Sequence, residues 1–132
     1  MALSSSRQFA VITKFTPSHE YVQFDTDTGI AKMGITHHAQ KELGDIVHVA
    51  MPEVGDKFDK GDSMIAVESV KTAADVFALI DGEVVELNDV LEEEPGTVNA
   101  SPEKEGWMLK VRVINKEQLD SLMSEEQYKE TL

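Results

Sequence analysis

Residues 61–82 read GDSMIAVESVKTAADVFALIDG: two apolar-rich stretches, Ser63 to Glu68 and Ala73 to Phe77, around a short link that carries one lysine, Lys71. Glycine and aspartate punctuate both ends, so the pattern predicts two short strands joined as a hairpin with Lys71 at its tip. The link holds no Gly or Asn, the residues that tight hairpin turns favour, so local chemistry alone does not secure the turn. Working outward, turn signals recur at Asp27 to Gly29, Gly44, Pro52 to Gly55, Gly61, Asp81 to Gly82, Pro95 to Gly96 and Gly106. Between them lie further candidate strands: Glu20 to Asp25, Ile30 to Ile35, Ile46 to Met51, Gly82 to Leu87 and Trp107 to Val113. Many short strands with frequent turns predict a mainly β sandwich or barrel.

The predicted helices are small. Thr36 caps one running through Leu43 and ended by Gly44, because a hydroxyl satisfies an orphan amide and glycine tolerates a left-handed exit. Val90 and Leu91 open another that Pro95 stops. From Asn115 a run places Leu119, Leu122 and Met123 on one face, and Ser124 with Gln127 reads as a capping box. That C-terminal segment is expected to pack on the sheet.

The chain has 132 residues, length for one domain, and its 41% hydrophobic content is ordinary for a globular core. Its longest apolar run, Val76 to Ile80, is far shorter than the ~20 residues of a membrane span. A formal charge of -13 opposes nucleic-acid binding, which rests on Lys and Arg displacing counterions. No cysteine is present, so disulfides, thiolate metal sites and cysteine nucleophiles are excluded. Phosphate-binding glycine loops, a dinucleotide fingerprint, a zinc helix motif and a nucleophile elbow are all missing. Four histidines remain as soft ligands: His19, His37, His38 and His48. Adjacent His37 and His38 point different ways from a helix start, and alternation about Val47 and Val49 aims His48 at solvent, so no metal site is expected.

The informative feature is charge. From Gly61 to Glu103 there are eleven acidic residues and one basic residue, Lys71. One reading is a solvated turn lysine balancing Glu68 and Asp75. The other is a lysine offered to a modifying enzyme, since a hairpin fixes the base while the four-carbon stem swings.

Glu68, Ser69, Val70, Lys71, Thr72 and Ala73 resemble the lipoyl attachment motif of the glycine cleavage system H proteins. Lys14 to Tyr21, ending in Ser18, His19 and Glu20, resembles that family's opening strand. Gly34 to Gln40, Leu43 to Val47, Pro52 to Gly55, Gly82 to Val85, Gly106 with Trp107, and a closing helix around Leu122 to Tyr128 follow in the family's order. The resemblance covers about Lys14 to Leu132. Tyr21 stands where tryptophan is usual, Thr72 where alanine is common, and Leu79 where a proline usually precedes the turn.

The resemblance implies a flattened β barrel or sandwich hybrid of the lipoyl-domain kind, one domain over residues 14–132. It implies lipoate joined by an amide to Lys71, with Glu68 helping a lipoate ligase or lipoyltransferase recognise the hairpin. It further implies a non-catalytic carrier, a monomer, loaded with an aminomethyl group by glycine decarboxylase. A tetrahydrofolate-dependent aminomethyltransferase would unload it, and dihydrolipoyl dehydrogenase would reoxidise it. Ser18, as hydrogen-bond acceptor, and Glu20 and Asp75, as ion-pair partners, would line a cleft around the loaded arm. Without the family, Ser18 is a turn cap after Pro17, Glu20 a solvated strand residue and Asp75 a partner of Lys71.

Other carriers are compared on the same residues. A biotin carrier normally sets its lysine between two methionines, whereas Val70 and Thr72 flank Lys71. A 2-oxo-acid dehydrogenase lipoyl module would ordinarily continue into an Ala- and Pro-rich linker, and here the chain is expected to stop. A lipoyl relay to other enzymes and an unmodified scaffold are the remaining alternatives. Residues 1–13 read as a flexible segment or transit-peptide remnant, being serine-rich and free of acids, so the expected home is the mitochondrial matrix, with bacterial cytoplasm as the alternative.

Overall fold

The computed structural model describes residues 10–132. Nine strands form two antiparallel sheets that do not close into a barrel. The larger sheet runs in the order β1 (Val11–Phe15), β2 (Glu20–Asp25), β3 (Ile30–Ile35), β9 (Leu109–Val113), β8 (Gly82–Leu87), β5 (Lys57–Phe58). The smaller sheet orders β4 (Ile46–Ala50), β6 (Ser63–Ser69), β7 (Ala73–Phe77). Both sheets contribute to the main apolar core, which includes Val22, Met33, Ile65, Val67, Val76, Ile80, Val84 and Val111, and Phe15, Tyr21 and Tyr128 form a second, smaller cluster. Outward positions are polar, as alternation requires: Lys110 pairs with Glu86 at 3.3 Å and Arg112 with Glu83 at 3.0 Å across the β8–β9 ladder.

All seven expected strands are present, and two more were not foreseen. β1 is an edge strand whose Val11 and Ile12 are 51% and 40% exposed, so its sequence lacks an inward apolar face. It takes in residues 11–13 of the segment expected to be flexible, pairing them with Asp25, Phe24 and Gln23. Ala10 precedes it, accepting from the Thr26 amide at 3.0 Å, and residues 1–9 of that segment lie outside the described residues. β5 has two residues and is set among turn-forming ones. Lys14 to Tyr21 is not one opening strand: it straddles the β1–β2 hairpin, with Ser18 and His19 in the turn.

His48 does face solvent, but Val47 is 54% exposed beside it while Val49 is buried. A register shift between Ile46 and His48 against β6 breaks the alternation there.

The helices are α1 (His37–Leu43), α2 (Val90–Glu93), α3 (Thr97–Ala100) and α4 (Glu125–Glu130), with a 3-10 helix over Lys116–Ser121. Thr36 caps α1 by accepting from the Ala39 amide, and Gly44 leaves it at φ 80°, as expected. The C-terminal run is not one helix. After the 3-10 turn, Leu122 and Met123 are extended, Met123 exchanges two backbone hydrogen bonds of 2.8 Å with Phe15, and α4 then starts from the Ser124–Gln127 capping box. α4 packs on β1 through Tyr128, whose ring stacks on Phe15 at 4.6 Å and 6°.

Tyr21, where tryptophan was usual, is fully buried against Gly34 and donates a 2.8 Å hydrogen bond from its hydroxyl to the Pro102 carbonyl. Burial, helped by the Glu103 carboxylate, pushes that hydroxyl far above its ordinary value of 10.0. A group held protonated in the fold stabilises it fully below the unfolded value and loses that contribution as pH rises past it. Stability measured by denaturant titration is therefore expected to fall above pH 10.0. Tyr21→Phe should remove this tyrosine's share of the alkaline fall and cost about 1 kcal/mol at neutral pH, by orphaning the Pro102 carbonyl. An alkaline limb unaltered in the variant would contradict this.

Candidate functional site

Lys71 stands at the tip of the β6–β7 hairpin, exposed, with Glu68 opposite Ala73 and Ala66 opposite Asp75 in the register below it. The turn closes without Gly or Asn because Ser69 replaces them. The Ser69 hydroxyl accepts from the amides of Lys71 and Thr72, both at 3.1 Å, and donates to the Thr72 carbonyl at 3.1 Å, while the Ser69 amide donates to that same carbonyl at 2.8 Å. Here a hydroxyl does the work that a left-handed residue does in tighter turns.

The tip is also tied sideways. The Val70 amide donates to the Asp45 carbonyl at 2.9 Å, and the Lys71 stem lies against Gly44, where an added Cβ would come 3.2 Å from Lys71 Cε. Asn99 holds this α1–β4 corner. It donates to the Gly44 carbonyl and to Gln40 Oε1, both at 2.9 Å, and accepts from the Ile46 amide at 2.9 Å. Asn99 was not singled out in the sequence; its partners are more than fifty positions away.

Among the described residues Lys71 takes part in none of the ion pairs, so it balances neither Glu68 nor Asp75. Asp75 instead lines a cleft of about 180 Å³ with Ser18, His19, Glu20, Glu42 and Leu43. The three residues expected to share a cleft, Ser18, Glu20 and Asp75, are thus brought together, from the β1–β2 turn, β2 and β7. Asp75 lies four residues along the hairpin from Lys71, about 13 Å in an extended strand.

Glu20 is not a solvated strand residue. It is 5% exposed, and its carboxylate accepts three hydrogen bonds: Thr16 Oγ1 and Ser18 Oγ at 2.8 Å on one oxygen, the Phe77 amide at 3.1 Å on the other. No cation accompanies it among the described residues, so these donors are what stabilise the buried charge. Ser18 gives its proton to Glu20 and lines the cleft. Glu68 is exposed on β6, paired with His48 on β4 and Ala73 on β7.

A six-stranded and a three-stranded antiparallel sheet, with an exposed lysine on a braced hairpin, make this a mainly β domain of the sandwich class. The family model for the glycine cleavage H-protein matches residues 13–132. The chain is 44% identical over 117 residues to a glycine cleavage system H protein of Thermotoga maritima, covering 89% of this chain and 93% of the relative. It is 50% identical over 115 residues to one of Phenylobacterium zucineum, covering 87% and 93%. Among solved structures, the glycine cleavage system H protein of Mycobacterium marinum superposes with a TM-score of 0.82 at 32% identity, covering 89% and 94%. The chain belongs to the glycine cleavage H-protein family.

Proposed function

We propose that Lys71 carries lipoate through an amide and that the chain is a carrier which turns over no substrate by itself. The observation that carries this reading is the combination at the hairpin tip: a lysine free of ion pairs, on a base fixed by Ser69, Asp45 and Gly44, within reach of a carboxylate-lined cleft. The residues present suit the group. Acylation needs an accessible amine, and Lys71 is exposed. When attached, the dithiolane supplies a disulfide that takes up and releases an aminomethyl fragment.

In this reading glycine decarboxylase loads the arm, the tetrahydrofolate-dependent aminomethyltransferase unloads it, and dihydrolipoyl dehydrogenase restores it. A lipoate ligase or lipoyltransferase makes the attachment, and exposed Glu68 is the contact that enzyme reads. Asp75 and Glu20 hold the cargo's ammonium, and Ser18 accepts a hydrogen bond from it. The cleft walls exclude water that would otherwise hydrolyse the cargo. The curated relatives named above are bacterial, which favours bacterial cytoplasm over the mitochondrial matrix.

Intact-mass measurement after incubation with lipoate and a lipoate ligase, and separately with biotin and a biotin ligase, tests the attachment. One lipoyl adduct and no biotinyl adduct are expected; the opposite pattern would overturn the assignment. Asp75→Asn is expected to speed decay of the aminomethyl-loaded carrier several-fold while leaving lipoylation unchanged, because Asp75 is exposed and its carboxylate has no ion-pair partner among the described residues. Glu20→Gln should do the same and also cost about 1–3 kcal/mol of stability, since one amide end cannot satisfy both the hydroxyls and the Phe77 amide. Decay rates equal to the parent's in both variants would remove the protective role.

A further inference from the structure

We propose that His19, His38 and Glu42 form a binding site for one divalent transition-metal ion of the zinc type. The sequence separated these residues, and no metal was expected from it. The fold brings one ligand-capable atom of each within 4.8 Å of the other two. His19 comes from the β1–β2 turn, while His38 and Glu42 lie one turn apart on the same face of α1, with His38 Nε2 3.3 Å from Glu42 Oε2. The His19 and His38 rings pack with centroids 4.2 Å apart.

His19 is held in place. Its backbone sits at φ 70°, with its amide bonded to the Thr16 carbonyl and its carbonyl accepting from the Thr36 amide, both at 3.0 Å. Its Nδ1 is 2.8 Å from the Tyr128 hydroxyl, which is itself 2.8 Å from Thr36 Oγ1. This hydroxyl pair can accept from a proton on His19 Nδ1, the tautomer that a metal ion on Nε2 would select. Fixing one imidazole nitrogen so that the other can ligate is how metal-bound histidines are oriented.

Two imidazoles and one carboxylate suit a zinc-type ion that keeps an open position. A tetrahedral site with bonds of ~2 Å sets its ligand atoms about 3.3 Å apart, so the trio closes by at most about 1.5 Å. Glu42, with a side chain 65% exposed, has the freedom to do so. His19 and Glu42 also line the cleft, so the open fourth position faces it. His37 is the internal contrast: its Nδ1 is engaged by Gln40 Nε2 at 3.0 Å, away from the cluster.

The test is calorimetric titration of the untagged full-length chain with Zn²⁺, with Co²⁺ absorption as a second reading. One Zn²⁺ per chain is expected, together with visible Co²⁺ bands of four-coordinate intensity that Zn²⁺ abolishes. His38→Ala and Glu42→Gln should each weaken Zn²⁺ binding by about tenfold or more. His37→Ala and His48→Ala should bind as the parent does. Circular dichroism of each variant keeps loss of fold separate from loss of a ligand, and Glu42→Gln, at an exposed position, is not expected to perturb folding. The proposal is overturned by the absence of saturable one-to-one binding. It is equally overturned if both ligand variants retain parental affinity, or if binding is lost with His37 or His48 instead.

Discussion

Lys71→Arg is expected to abolish lipoylation and, with it, all carrier activity, while leaving the fold as stable as the parent's. The guanidinium keeps the positive charge and a long stem but offers no amine that a ligase can acylate. Lys71 is exposed, and its hairpin is closed by Ser69 and the Asp45 carbonyl rather than by its own side chain. Thermal stability should therefore change within about 0.5 kcal/mol. Two readings check this. Incubation with lipoate and a ligase should give no mass adduct, and glycine decarboxylase assayed with the treated variant should exchange the glycine carboxyl with bicarbonate only at background rate. A variant that still accepts lipoate would move the attachment point to another lysine.

The second large effect lies at Gly106, remote from the tip in sequence but connected to it through the fold. A Cβ there would sit 2.6 Å from the Ser101 carbonyl oxygen, 2.9 Å from that of Thr97 and 2.9 Å from Val98 Cα. All three obstacles are backbone, so no side chain can turn aside, and α3 itself must shift. Gly106→Ala is expected to cost about 3 kcal/mol or more, lowering Tm by roughly 10 °C. Because α3 carries Asn99, which clasps the Gly44–Ile46 corner beneath the Lys71 stem, the shift should also slow lipoylation of the folded variant. Gly96→Ala is the control. Its added Cβ meets nothing within 4 Å, and its φ of -64° suits any residue, so stability should stay level or rise slightly. Equal Tm values for the two variants would contradict the packing argument.

Much of this architecture could be read before folding, and the reasons are local. β2, β3 and β7 fall where alternation and flanking turn residues set them, and α1 begins and ends on its cap and its glycine. Lys71 stood out by charge, the flanking strand pattern set it at a hairpin tip, and only the resemblance gave it a role. What escaped depended on contacts that the pattern of the element itself does not announce. β1 is a strand because β2 pairs with it, not because of its own pattern. The C-terminal run breaks at Leu122 because Met123 is taken up by Phe15, a contact no helical periodicity announces. Ser69 closing the hairpin was present in the motif but concealed by the expectation of glycine.

The site divides in the same way. Ser18, Glu20 and Asp75 were expected as neighbours only from the resemblance, and the cleft shows what spacing could not: Glu20 is buried and accepts three hydrogen bonds. Residue pattern alone made it a solvated strand position. The His19, His38 and Glu42 cluster was missed for a related reason. Adjacent histidines on a helix diverge, and only the neighbouring turn, folded back by the hydrogen bond from Thr36 to His19, supplies the second imidazole.

The most direct measurement is peptide mapping of the protein purified from cells replete in lipoate. The account predicts one modified residue, Lys71, within the peptide spanning Val70 and Thr72, with every other lysine unmodified. Protein that supports glycine cleavage with Lys71 bare, or with lipoate on a different lysine, would contradict it.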